Sequence, residues 1–268
     1  MTRSVSAPRM WWTFSMDFRS YVAIGDSFTE GVGDDLPDGS VRGWADLVAL
    51  GLALAARERA DARPFGYANL AIRGRLLGPI VDEQLDAAIA LRPDLLSLNG
   101  GGNDIMRPRV SIESVADRLA EAVHKAVGAG IHVLLLSGGN PTRHIPLGSR
   151  IEVRGEQLAL AVRDRVPASG VTFVDNWADA ELTELRYWSV DKLHLNALGH
   201  RRVAGNVLTG LGVPVPEWGD ERLELKRPGT LAYWRGYVLP WIGRRLTGRS
   251  SGDGREPKRA TLLPVELK

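Results

Sequence analysis

Five short apolar runs, each followed by a longer segment of helical period, constrain this chain more than any other feature. Tyr21-Val22-Ala23-Ile24, Tyr67 to Ile72, Leu95-Leu96-Ser97-Leu98, Ile131 to Leu136 and Val171 to Val174 have the length of buried strands and sit beside Gly, Pro or Asp punctuation. Between them, Trp44 to Arg59 places Trp44, Leu47, Val48, Leu50, Leu52 and Leu54 on one wide apolar face. Leu76 to Leu91, Val110 to Val127, Ser149 to Val166 and Ala197 to Leu211 also read as helices. Such alternation predicts an α/β fold: a five-stranded parallel sheet with right-handed crossovers and helices on both faces. Ligands in these sheets bind beyond the carboxyl ends of the strands.

Composition narrows what those ends can do. The 268 residues contain no cysteine, so thiolate catalysis, zinc-cysteine sites and disulfides are excluded. Net charge is +2, with 11 Lys/Arg against 5 Asp/Glu from 221 to 268 and 23 against 27 before that. The basic balance is therefore a property of the tail. Residues 1–19 read as an N-terminal extension, 20–218 as the domain, and 219–268 as a basic, aromatic extension disordered from about 248. The aromatic stretch Tyr233 to Arg245 reads as packing on the domain, with a membrane surface, an acidic partner or the active-site mouth as other contacts. No nucleic-acid motif accompanies the charge, and no nucleic-acid partner is expected. Trp11, Trp12 and Phe14 read as a short packing segment rather than an interfacial anchor. No secretory signal or membrane span is visible near the N-terminus, which makes a cytoplasmic location the expectation.

The strand ends carry the chemistry. The first delivers Gly25-Asp26-Ser27-Phe28-Thr29-Glu30-Gly31, a serine where a nucleophile belongs; the second ends in Asn69 to Arg75 with Gly74; the third in Gly101-Gly102-Asn103-Asp104. Before the last helix comes Asp191-Lys192-Leu193-His194, whose spacing lets the carboxylate fold back onto the imidazole Nδ1–H while Nε2 faces outward. Each residue has a plain structural explanation: Ser27 a helix cap, Gly74 a turn glycine, Asn103 a turn residue, Asp191 an N-cap, His194 a half-buried histidine. Their joint occurrence at these loops is what a nucleophile, two oxyanion donors and an acid–base pair would look like.

These four blocks resemble the SGNH hydrolases, the GDSL-type esterases and lipases, over roughly residues 20 to 211. The resemblance implies a flavodoxin-like α/β/α sandwich with strand order 2-1-3-4-5. It implies Ser27 as nucleophile, Asp191 and His194 as acid and base, and an oxyanion hole from Ser27, Gly74 and Asn103, with Asp26 and Asp104 in support. Phe28 departs from the leucine of the name-giving motif. The Gly-x-Ser-x-Gly elbow of the α/β-hydrolase fold is absent. The expected function is a serine ester hydrolase acting through an acyl-enzyme, with neither metal nor other cofactor.

Three rival readings fit the sequence less well. A metal-dependent phosphoesterase needs ligands at matching spacing, which His124, His132, His144 and His200 lack. A phosphate-binding loop fails because Gly31-Val32-Gly33 is too short a match. A non-catalytic or carbohydrate-binding module on the same scaffold is the stronger rival, weakened by the presence of every reacting group. The expected substrate is a small-molecule, lipid or sugar ester, met by loops Asp34 to Arg42, Arg107 to Ser111 and Pro141 to Ser149. Arg73, Arg107, Arg143 and His144 are candidates for a polar or anionic substrate group, with solvated surface charge as the plainer reading.

Overall fold

A computed structural model describes residues 17–58, 63–219, 227–247 and 249–267. The readings of Trp11, Trp12 and Phe14 lie outside the described residues. The sheet is built from β1 (Ser20–Ile24), β2 (Gly66–Asn69), β3 (Leu95–Leu98), β4 (His132–Leu136), β5 (Val171–Val174) and β6 (Arg259–Pro264), in the order β5-β4-β3-β1-β2-β6. The first five pair in parallel in the expected order. β6 is a sixth strand, antiparallel to β2, with Pro264 opposite Gly66 and a bulge between Tyr67 and Asn69.

β6 corrects the expectation of disorder from about 248. Composition misleads there because Gly, Ser, Arg and Asp dominate 249–258, whereas Thr261, Leu262 and Leu263 have the edge of β2 to pair with and Leu262 packs against the core.

Alternation along the strands divides the core in two. Tyr21 and Ala23 face the helices Trp44–Arg57 and Ala197–Gly210, where Trp44, Val48, Val203 and Leu208 are buried. Val22 and Ile24 face the other layer, built from residues 77–90 and the helices Ile112–Gly128 and Gly148–Arg163. Asp46 accepts the Gly43 N–H to begin the first of these helices, Ser111 accepts from Ser114 N, and Asn196 accepts from Gly199 N.

The predicted single helix over Leu76 to Leu91 divides into Leu77–Pro79, a π-helical stretch Ile80–Leu85, and Asp86–Ala90. The wider turn directs Gln84 into the interior, where its amide holds both the N–H and the carbonyl of Gly25 at 2.8 and 3.0 Å. The strand expected to Ile72 stops at Asn69, although Leu70 and Ile72 still donate to Ala23 and Gly25. Among the described residues no helix is long and apolar enough to cross a membrane.

Candidate active site

β1 ends at a tight turn that the sequence makes obligatory. Gly25 has φ +154°, and a Cβ there would lie 2.5 Å from Thr29 Oγ1 and 2.8 Å from the Asn99 carbonyl. Asp26 then caps the four-residue helix Ser27–Glu30 by accepting the Phe28 N–H at 3.0 Å, which puts Ser27 at the first helical position. The Ser27 N–H has no acceptor among the described residues.

The opposing wall is the loop Ser189 to Asn196. Asp191 Oδ1 accepts the Ser189 hydroxyl at 2.6 Å and the N–H groups of Leu193 and His194 at 3.0 Å each. Its Oδ2 accepts His194 Nδ1–H at 2.6 Å, which fixes the tautomer and leaves Nε2 to accept from Ser27 Oγ at 3.1 Å. Burial works to raise the Asp191 carboxyl. The His194 side chain, its charge and backbone N–H, and the Ser189 hydroxyl outweigh it and hold Asp191 well below the usual carboxylate range.

Backbone contact sets the distance between the walls. Gly33 has φ +100°, and any Cβ there would collide with the Leu195 carbonyl oxygen, so the serine and histidine loops meet main chain to main chain. Buried His200 reinforces this: Nδ1 accepts the Trp44 N–H at 3.2 Å and Nε2 lies 3.2 Å from the Val32 carbonyl. Burial lowers the His200 pKa to about 4.

The other predicted residues fall nearby in different states. Asn103 donates one amide proton to Asp26 Oδ2 at 3.1 Å and the other to the Arg75 carbonyl at 2.9 Å. Burial raises the Asp26 pKa to about 6, against the Phe28 N–H and the charge of His194. Asp104 accepts the Leu77 N–H at 2.9 Å and does not line the cavity at Ser27. Gly74 has φ +73°, its N–H has no acceptor among the described residues, and its Cα faces Ser250 and Ser251.

Of the four candidates for substrate charge, Arg73 is clamped on Glu30 through its backbone N–H, Nε and Nη2. His144 Nε2 lies 2.9 Å from the Thr183 carbonyl. Arg107 and Arg143 are exposed, and none of the four lines the cavities described next.

A cavity of about 150 Å³ opens at Ser27, Asn103 and His194, between Phe28, Met106, Ile145 and Leu193. A second, of about 660 Å³, adjoins it past Met106, Ile145 and Leu193 and is covered by residues 233–244. Four further residues hold these walls; three of them, Gln84, Arg227 and Lys258, carry no sequence signal, and Tyr233 belongs to the aromatic stretch expected to pack on the domain or at the active-site mouth. Gln84 pins Gly25; Arg227 donates to the carbonyls of Leu185, Trp188 and Ser189; Tyr233 donates to the Asp191 carbonyl at 3.1 Å; Lys258 Nζ donates to the Glu30 carbonyl at 2.5 Å. Among the described residues no three His, Asp or Glu side chains form a group that could hold a metal ion.

A family model described as the GDSL-like Lipase/Acylhydrolase family matches residues 23–202, which span both walls. The chain belongs to this family. This GDSL-like acylhydrolase is accordingly an ester-hydrolysing enzyme. Its fold is shared with the lipase Lip_vut3 from a goat rumen metagenome, at TM-score 0.59 and 18% identity over 71% of this chain and 96% of that one. LAE5, described as an alpha/beta hydrolase enzyme from the metagenome of Lake Arreo, aligns at TM-score 0.55 and 20% identity over 74% and 97%. The acetylxylan esterase Axe2 from Geobacillus stearothermophilus aligns at TM-score 0.55 and 19% identity over 76% and 97%. A sequence search of curated proteins returned no significant match to this acylhydrolase.

Proposed function

We propose that the enzyme hydrolyses esters through a covalent acyl-enzyme on Ser27. The observation that carries the reading is the continuous hydrogen-bond relay from Ser27 Oγ through His194 to Asp191. His194 Nε2 takes the serine proton as Oγ attacks the ester carbonyl, and Asp191 stabilises the imidazolium. The same proton then goes to the departing alkoxide, and water activated by His194 hydrolyses the acyl-enzyme.

The N–H groups of Ser27 and Gly74, both without internal acceptors among the described residues, are the first donors to the tetrahedral oxyanion. Asn103 joins them by releasing one of its two internal acceptors. Asp26 orients Asn103, and Asp104 anchors the start of the neighbouring helical segment.

Ser27→Ala should lower kcat on p-nitrophenyl esters by roughly 10⁴- to 10⁶-fold with an unchanged far-UV spectrum. Turnover within tenfold of wild type would overturn the assignment.

A further inference from the structure

We propose that residues 233–241 complete an acyl-chain pocket beside His194, making the substrates esters of medium to long unbranched acyl groups rather than acetyl esters. This rests on the ester-hydrolase reading above. The matched family segment ends at residue 202, so this wall is supplied by chain beyond it. The cavity of about 660 Å³ is bounded on one side by Met106, Ile145 and Leu193 and on the other by Tyr237, Val238 and Trp241. Its volume falls within the roughly 300–1,000 Å³ of sites that enclose small molecules. Because Met106, Ile145, Leu193 and His194 line both cavities, a chain whose carbonyl sits at Ser27 can run directly into the larger one.

The polar groups on this wall are committed or peripheral. Arg154 donates to the carbonyls of Ile105, Arg107 and Val110, and the Tyr233 hydroxyl to that of Asp191. Arg150, Arg244, the Trp234 indole and the Tyr237 hydroxyl lie at the exposed rim. A sugar hydroxyl would leave water for a space with few free partners, whereas each methylene gains by entering it. Tyr233, 6% exposed, is held on the domain by its hydrogen bond to the Asp191 carbonyl and by Lys192 over its ring, and Val238 is 7% exposed, whereas Trp234 and Tyr237 remain partly open to water.

The chain-length profile of the full-length enzyme on p-nitrophenyl esters from acetate to palmitate tests this. We expect kcat/KM to climb about three- to fourfold per methylene until the pocket is full. Val238→Trp, which fills the pocket, should lower the ratio of dodecanoate to acetate kcat/KM at least tenfold. Met106→Trp fills it from the opposite wall and keeps the test open if the first variant fails to fold. Sodium dodecanoate binding to the Ser27→Ala protein, followed by calorimetry, reads the pocket without turnover. Saturable binding that Val238→Trp or Met106→Trp abolishes supports the pocket even if no ester is hydrolysed. A profile that peaks at acetate, or no dodecanoate binding, would overturn it.

Discussion

Replacing Asp191 with asparagine separates the relay from the fold. Asp191 Oδ1 receives three donors, from Ser189, Leu193 and His194, so an asparagine keeps its carbonyl oxygen on that side and turns its NH₂ toward His194 Nδ1. Nδ1 must then accept, the imidazole proton moves to Nε2, and no lone pair remains for the serine proton. Losing the carboxylate charge also removes its attraction for the imidazolium. At about 4 Å between charge centres and an effective dielectric of about 20, that attraction is about 4 kcal/mol. At about 1.4 kcal/mol per tenfold this is about 10³ in rate. Recovering the productive tautomer costs about another 1–2 kcal/mol for a buried donor left unpaired. The total, about 10⁴ in kcat, matches the scale of this replacement in serine proteases. Because the three Oδ1 bonds survive, the melting temperature should stay close to wild type. Steady-state kinetics at pH 7 with a p-nitrophenyl ester, alongside thermal melts, would check both. A loss below thirtyfold in a normally folded variant would refute the reasoning.

Three further outcomes follow from the same geometry. Gly33→Ala places a side chain at φ +100° against the Leu195 carbonyl; a loss of about 2–3 kcal/mol, seen as a lower melting temperature, should accompany at least a tenfold fall in kcat/KM as the histidine loop is displaced. Gln84→Leu strips both hydrogen bonds from Gly25 in the interior and should cost about 2–4 kcal/mol by urea denaturation. Asp26 and His200 oppose each other with pH. Burial raises Asp26 to about 6, so the native form takes that proton before the unfolded chain does and stability rises as pH falls from about 6 to 4. Burial lowers His200 to about 4, so the unfolded chain is protonated first and stability falls between pH 6.5 and 4. Each effect is at most about 3 kcal/mol and they largely cancel. Asp26→Asn should therefore melt progressively lower than wild type on acidification and His200→Gln progressively higher; parallel profiles would count against both shifts.

What the sequence made legible was whatever repeats with a period or sits at a strand end. Val171–Val174 has the bounds its apolar run predicts, and Trp44, Leu47, Val48 and Leu52 lie on the buried face of their helix, whereas Leu50 is half-buried and Leu54 is exposed. Ser27 is legible as the residue after a strand end, and Asp191 and His194 from their three-residue spacing, but the distance between these two loops depends on Gly33 against Leu195 and on His200. Residues that act across the fold left no such trace. Gln84 is a polar residue in an amphipathic run, and only the π-helical turn aims it at Gly25. Gly33 matters because of Leu195, and Lys258 because of the Glu30 carbonyl, 228 residues away. Arg73, read as a surface charge or substrate contact, is instead captured by Glu30.

β6 bears on how the protein behaves in a crowded solution. Without it, β2 would present a free row of main-chain donors and acceptors, a template for strands of other molecules. β6 occupies that row and offers a poorer one, with a bulge opposite β2, Lys258 and Arg259 at its start, and Pro264, which has no N–H, at its end. The segment whose composition suggested disorder thus shields the sheet from edge-to-edge association. Removing it would be felt first as precipitation.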